Sequence, residues 1–311
     1  MAGLLDGVRA RGAFLLRSVL EPPWSMRIED EASLTLAAAV AGRAWLVPDD
    51  PATEPVALDP GDVAVIRGPG HYVVADQPAT PPSVVIHPGQ RCTTLDGRDL
   101  ALARSLGVRT WGDADGTTVL LTGTYEGRSE VSRRLLDALP HVLVAPAHNA
   151  DAALVDLLAR EVGRGEPGQE VVLDRLLDLL LIAVIRDWFE RSGTAPRWWQ
   201  ADADPLVGRA LRLLYDDPAH PWTVAGLATA VGASRAAFAR RFTELVGEPP
   251  IAFLTSWRLA LAADLLGRPD STIGAVAGQV GYGSPFALST AFKRVYGISP
   301  HEHRAGLRAL A

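Results

Sequence analysis

From residue 223 to residue 304 the chain carries one pattern twice, and no other feature limits its fold as tightly. Residues 223–247 and 272–297 align at an offset of 49 before an internal glycine and 50 after it. Thr223 matches Thr272, Ala228 matches Ala277, Val231 matches Val280 and Gly232 matches Gly281. Beyond the turn Ser234 matches Ser284, Phe242 matches Phe292, Gly247 matches Gly297 and Pro250 matches Pro300, so the second turn is one residue longer. Self-similarity of this extent reports a duplicated supersecondary unit. Each copy reads as a short helix, a turn at glycine and a second helix that stops at glycine. That is the order of a helix-turn-helix, whose second helix can lie in a DNA major groove.

The second helix of each copy has a legible inner face. Phe238, Phe242 and Leu245 fall at i, i+4 and i+7, and Leu288, Phe292 and Val295 repeat that stripe, so both sets are expected in a core. About 100° per residue puts Ala236, Ala239, Arg240 and Thr243 on the opposite face of the first, and Phe286, Ser289, Thr290 and Lys293 on that of the second. Ser234 and Ser284 stand where N-caps belong, with Pro285 opening the second helix. Small residues at a helix start let the backbone approach DNA, an Arg can reach guanine or phosphate, and an apolar group can touch a thymine methyl. Arg235, Arg241, Arg258 and Arg294 are candidates for phosphate contact, with bracing of the two halves as an alternative place for Arg258.

Between the copies, residues 250–267 read as one apolar helix containing Trp257-Arg258-Leu259 and Ala262-Ala263-Asp264-Leu265-Leu266. Around the second copy stand Ile273-Gly-Ala-Val-Ala-Gly-Gln-Val-Gly-Tyr282, Phe292-Lys-Arg294 and Gly297-Ile-Ser-Pro300. On these residues the last third of the chain resembles the DNA-binding domain of the AraC/XylS family of bacterial transcription regulators. The resemblance implies two helix-turn-helix units joined by a linker helix, double-stranded promoter DNA as partner, and a leaning towards activation, with RNA polymerase as a further partner. The family often has an acidic residue where Gly283 stands, Phe at Leu288 and Arg at Thr290. The missing Arg implies that the first unit carries more of the sequence reading.

At 311 residues the chain is long enough for two cores, and 48% apolar with 21% charged residues is an ordinary soluble composition. A single cysteine, Cys92, excludes an intramolecular disulfide and a Cys-rich zinc site. No signal peptide is evident at the N-terminus and no run of about 18 apolar residues occurs, so the cytoplasm is the expected compartment. The net charge of −6 is unevenly spread: from Pro205 onward 11 Lys+Arg face 7 Asp+Glu, a surplus of +4, against −10 before it. The basic end thus coincides with the repeat, as phosphate binding requires. A surplus this small predicts modest, salt-sensitive affinity per copy and favours binding as a homodimer to paired half-sites.

Residues 14–125 read as β-rich, with short runs at 25–28, 34–40, 44–47, 62–66 and 84–86 separated by Gly, Pro and Asp clusters. Residues 98–125 are irregular, with a turn expected at 112–116. Leu58-Asp-Pro-Gly-Asp-Val-Ala-Val-Ile66 with Gly68-Pro-Gly-His71, and Glu21-Pro-Pro-Trp24 upstream, are similar to the cupin-like sensor domain that precedes AraC-type DNA-binding domains. Cupin enzymes draw metal ligands from His and Glu of a first motif, which residues 34–47 lack, so no metal or other cofactor is expected. A cupin metalloenzyme with a helical appendage is one alternative, with His71, His87 and Cys92 as its conceivable ligands. A redox switch at Cys92, beside Arg91, is the other. For a small effector in the barrel, Trp24, Arg27, Trp45, Arg67, His71 and Tyr72 are the first polar and aromatic candidates.

Helices are expected at 152–162 and 170–191, the latter with an apolar stripe broad enough to cover the barrel and meet a second subunit. The expected fold class is therefore α+β. A cupin-like sensor and dimerisation domain spans residues 1–192, its barrel at about 14–125 and its helices at about 131–191. A linker follows at 193–204, and an all-α DNA-binding domain at 205–311.

Overall fold

The structure, a computed structural model, describes residues 14–125, 130–147, 152–193, 195–268 and 270–310. These described residues fall into two compact units, one made of those between 14 and 125 and between 139 and 193, the other of those between 130 and 138 and from 195 onward.

The first unit is built on thirteen named strands. In chain order they are β1 (Phe14–Leu20), β2 (Ser25–Ile28), β3 (Leu34–Ala41), β4 (Ala44–Pro48), β5 (Val56–Leu58), β6 (Val63–Arg67), β7 (Tyr72–Ala75) and β8 (Val84–His87), then β9 (Arg91–Thr94), β10 (Ser105–Gly107), β11 (Thr110–Gly112) and β12 (Thr118–Tyr125). Helix α1 (Glu130–Leu136) intervenes before β13 (Val142–Ala145), and α2 (Ala152–Glu161) and α3 (Gln169–Ser192) follow. One sheet has the order β10-β11-β1-β12-β3-β6-β13, the other β5-β4-β7-β2-β8-β9. Pairing is antiparallel except between β1 and β11 and between β2 and β8. An apolar core between the sheets draws on both, as in a β-sandwich closed towards a barrel.

Strand β3 is buried on both faces from Leu34 to Ala39, which is why it reads as a continuous apolar run rather than an alternation. Thr35, Ala37 and Ala39 point to the opposite sheet, while α2 packs near the other face. Strand β12 sits at the centre of the seven-stranded sheet, although the sequence reads as irregular there. The physical reason is Gly123, which breaks the pattern in mid-strand: a Cβ at that position would lie 2.7 Å from Leu177 of α3. The glycine lets the helix close on the sheet. Of the broad α3 stripe, Leu173, Leu177, Leu180, Leu181, Val184, Ile185 and Phe189 are buried, and Val171, Val172 and Leu179 are exposed.

The second unit is helical: α4 (Arg197–Ala201), α5 (Val207–Asp216), α6 (Val224–Ala230), α7 (Arg235–Val246), α8 (Pro250–Leu266), α9 (Ile273–Gln279), α10 (Pro285–Tyr296) and α11 (Pro300–Leu310). Helix α8 explains its own all-round apolar sequence by belonging to two cores. Phe253 and Leu254 pack with Phe238 and Phe242 in the first; Leu259, Ala262, Ala263 and Leu266 pack with Leu288 and Phe292 in the second. Trp257 stands between them against Tyr215, ring centroids 4.8 Å apart.

Three expectations change. The inner stripe of each second helix turns slightly: Val246 is buried with Leu245 only partly so, and Val295 is exposed while Tyr296 approaches the core. The core lies nearer the i+8 than the i+7 direction. Residues 195–204 are no free linker, because α4 packs on α7 with Ala201 fully buried. Finally, α1 groups with the helical unit and not with the strands that flank it, the Glu130 backbone N–H donating to the Asp264 carboxylate at 2.7 Å.

Candidate nucleic-acid interface and barrel cavity

The two helical hairpins are closed by the same local chemistry. Thr223, Ser234, Thr272 and Ser284 each cap a helix, their hydroxyl oxygens accepting from the N–H groups of Gly226, Ala237, Ala275 and Ala287 at 3.0–3.3 Å. Gly232 and Gly281 make the turns at φ of +76° and +80°, in the left-handed region that glycine enters without strain. In both turns the residue after glycine donates back to the preceding helix, Ala233 N–H to Ala228 O at 2.9 Å and Tyr282 N–H to Ala277 O at 2.8 Å. Gly247 and Gly297 end α7 and α10 in left-handed C-caps.

On this frame the outward positions are free to vary. In α7, Arg235, Ala236, Arg240 and Thr243 are exposed and Ala239 is half-buried. The Arg240 side chain is 77% exposed and lies 3.8 Å from Glu244, a loose i,i+4 pair. In α10, Pro285, Phe286, Thr290, Lys293 and Arg294 are exposed and Ser289 is half-buried. Phe286 is 81% exposed, which leaves a large ring in water with no intramolecular reason for it. Thr243 and Ser289 bond back to the carbonyls of Ala239 and Pro285, both at 2.8 Å.

Two of the expected phosphate contacts are engaged inside the protein. Arg258 donates from Nε to Pro218 O at 2.7 Å and from a terminal nitrogen to His220 O at 2.8 Å. Arg241 holds Asp204 at 2.9 Å, and Asp204 also accepts from the N–H groups of Leu206 and Val207. Burial alone would raise the Asp204 carboxyl, but the Val207 N–H, the Arg241 guanidinium and the Leu206 N–H together hold it below the usual carboxylate range.

The strand unit contains a cavity of about 320 Å³ between its two sheets. Of the six residues expected to face an effector, only Tyr72 lines it. Side chains alternate along a strand, and here Met26, Ile28, Leu46 and Ile66 take the inner positions, which turns Arg27, Trp45 and Arg67 outward. Arg27 pairs with Asp49 on that outer face, Trp24 is buried in the core without reaching the cavity, and His71 bonds Glu31 at 3.0 Å in a loop. Beside Tyr72 the cavity's polar lining includes Asp30, Thr35 and Gln90, none of which is among the six candidates. Thr35 could have been found from the Thr35-Ala37-Ala39 alternation; Asp30 and Gln90 lie in connections and carry no periodic signal.

His71, His87 and Cys92 do not converge: His87 bonds Thr93 at 2.9 Å, and among the described residues no group of three or more His, Cys, Asp or Glu could hold a metal ion. Cys92 is 7% exposed in the cavity wall, and burial pushes its thiol up to about 11 against a smaller lowering by Arg104. A thiol held protonated near neutral pH is a poor oxidant sensor, which counts against the redox alternative. Burial likewise pushes the Tyr72 phenol up, so it stays neutral and can donate. No described helix is long and apolar enough to cross a membrane.

Comparison with known proteins supplies the context. Residues 1–190 match a family profile described as Cupin, and residues 227–306 one described as Helix-turn-helix domain. A Streptomyces antibioticus protein that carries the name of an AraC-like transcription regulator is 34% identical, over 86% of this chain and 85% of its own length. The RCS-specific HTH-type transcriptional activator RclR of Escherichia coli is 29% identical, over 63% of this chain and 70% of its own. Among solved structures, the DNA-binding domain of AdpA in complex with a target DNA is 36% identical, covering 34% of this chain and 95% of that one, with a TM-score of 0.33.

Proposed function

The chain belongs to the AraC-like transcription regulators, with a cupin domain and a helix-turn-helix domain, and on that premise we propose how it works. Helices α7 and α10 enter successive major grooves of a double-stranded operator, about one helical turn apart. Arg240 and Thr243 read bases from α7, with Ala236 and Ala239 allowing close approach. Phe286, Ser289, Thr290 and Lys293 do so from α10. Ser234, Arg235, Ser284, Pro285 and Arg294 lie along the phosphate backbone. The observation that carries this reading is the exposure of Arg240 and Phe286 on otherwise equivalent helices, one suited to guanine and the other to a thymine methyl.

The same reading gives the strand unit the sensing role. A small effector occupies the cavity beside Tyr72, and two protomers meet through the exposed Val171, Val172 and Leu179 of α3. RNA polymerase is the second macromolecular partner, in the cytoplasm, and the barrel has no catalytic part. Operator fragments found by genomic footprinting allow the direct test. Arg240→Ala is expected to weaken specific binding by roughly 1–3 kcal/mol in a gel shift. Unchanged affinity removes Arg240 from the interface. Stoichiometric iron, manganese or zinc in the purified protein favours a metalloenzyme instead.

A further inference from the structure

The cavity between the sheets has an uneven chemistry. Most of its wall is apolar, with Leu16, Met26, Ile28, Ile66 and Leu120 among the residues that face it. Part of the polar lining is gathered around Asp30. Gln90 donates from Nε2 to Asp30 Oδ2 at 3.1 Å, Asp30 Oδ1 accepts the Ala32 N–H at 3.1 Å, and Tyr72 and Thr35 line the same cavity. Thr124 stands directly across from Thr35 in the β12–β3 pairing, and its Oγ1 is buried with no hydrogen-bond partner among the described residues. Among the described residues Asp30 supplies the sole carboxylate of the cavity wall, and it is itself almost fully buried. No ion pair to it is found among the described residues. The cation of the wall, Arg109, points elsewhere, to Glu170 at 3.3 Å and to Leu15 O at 3.5 Å.

Resting on the reading of this cavity as the effector site, we infer that its ligand is an apolar small molecule with one hydrogen-bond-donating end, an amine or a hydroxyl, and that carboxylates are turned away. A carboxylate has about four lone-pair sites, and two of those on Asp30 are taken by Gln90 and Ala32. The others accept from a ligand amine or hydroxyl, and a charged or partly charged donor there forms the stronger class of hydrogen bond. A ligand carboxylate at the same end meets a buried like charge with no compensating cation. A plain hydrocarbon fills the apolar wall and leaves the polar end unanswered.

The test is calorimetric titration of the full-length protein with four compounds on one skeleton: naphthylmethylamine, naphthylmethanol, naphthoate and methylnaphthalene. The amine and the alcohol are expected to bind on the order of tenfold more tightly than naphthoate. Asp30→Asn keeps an oxygen for Ala32 and removes the charge, so naphthoate should recover most of that difference. Should that variant fail to fold, Gln90→Glu adds a second carboxylate and should widen the preference for the amine. Ala37→Leu, which narrows the cavity wall, should weaken all four compounds. Naphthoate binding as tightly as the amine in the wild type overturns the donor rule. Binding of none of the four, or binding untouched by Ala37→Leu, overturns the effector-site reading itself and the donor rule with it.

Discussion

Where α7 carries Arg240, α10 carries Thr290; where α7 has Ala236, α10 has Phe286; and Thr243 answers to Lys293. Inside, the two helices agree: Phe238 and Leu288, Phe242 and Phe292, and the capping Ser and Gly at either end fill the same places. The buried and capping positions decide whether a helix-turn-helix forms, so duplication preserves them. The outward positions are not dictated by the fold, and there the copies differ. The first presents an exposed cation and the second a bare aromatic ring, which under the proposed function suit different base edges.

The inner agreement can be broken first, and at the largest cost. Phe242 and Phe292 are both fully buried, Phe242 against the edges of Phe238 and Phe253, Phe292 against Tyr296 and His303. Phe242→Ala and Phe292→Ala should each destabilise the protein by about 3–5 kcal/mol in urea unfolding. A cost for Phe292→Ala well under half that of Phe242→Ala means that the second core is not the structural equal of the first.

The turns should part company next. Gly232 and Gly281 have the same backbone, but a Cβ at Gly232 meets nothing within 4 Å, whereas one at Gly281 lies 2.7 Å from the Ala219 carbonyl. Gly232→Ala should cost about 1–2 kcal/mol, the left-handed conformation alone. Gly281→Ala adds the clash and should cost roughly 3 kcal/mol. Equal melting temperatures for the two variants would show that the segment at Ala219 yields freely.

The outer difference is sharpened by restoring a cation. Thr290→Arg gives the second unit what Arg240 gives the first, and should steepen the salt dependence of operator binding by roughly one unit in log K against log salt. An unchanged slope places residue 290 away from the duplex.

Much of this comparison was legible from residues alone because its signals are local. Ser and Thr caps, glycine turns and the Phe238–Phe242 spacing are written within a few residues of where they act. The barrel cavity was legible only as a region. Strand pattern fixes which residues alternate but not which set faces inward, and a one-residue shift exchanges Met26 for Arg27 and Leu46 for Trp45. The docking of α1 beside Asp264, and of α4 on α7, rests on contacts between distant segments that no local pattern announces.

One asymmetry remains between the units, and it concerns charge in the core-facing flank. Arg241 of α7 is held by Asp204, while the matching position in α10 is Ala291, which has no charge to hold. The Asp204 carboxyl is depressed in the folded protein, so its contribution is complete above the unfolded carboxylate value of about 3.9 and is lost as pH falls through the lower, folded value. Asp204→Asn keeps an acceptor for the Leu206 and Val207 N–H groups and removes only the charge. It should therefore cost about 1 kcal/mol at neutral pH, a modest figure because half of the Arg241 side chain is open to solvent. On acidification the wild type should lose that advantage and the two melting curves should converge, whereas Asp204→Asn in an Arg241→Ala background should show a smaller difference, the part left by the Val207 and Leu206 N–H groups. A gap between wild type and Asp204→Asn that persists unchanged into acid would mean that the carboxylate's charge does not secure the first unit.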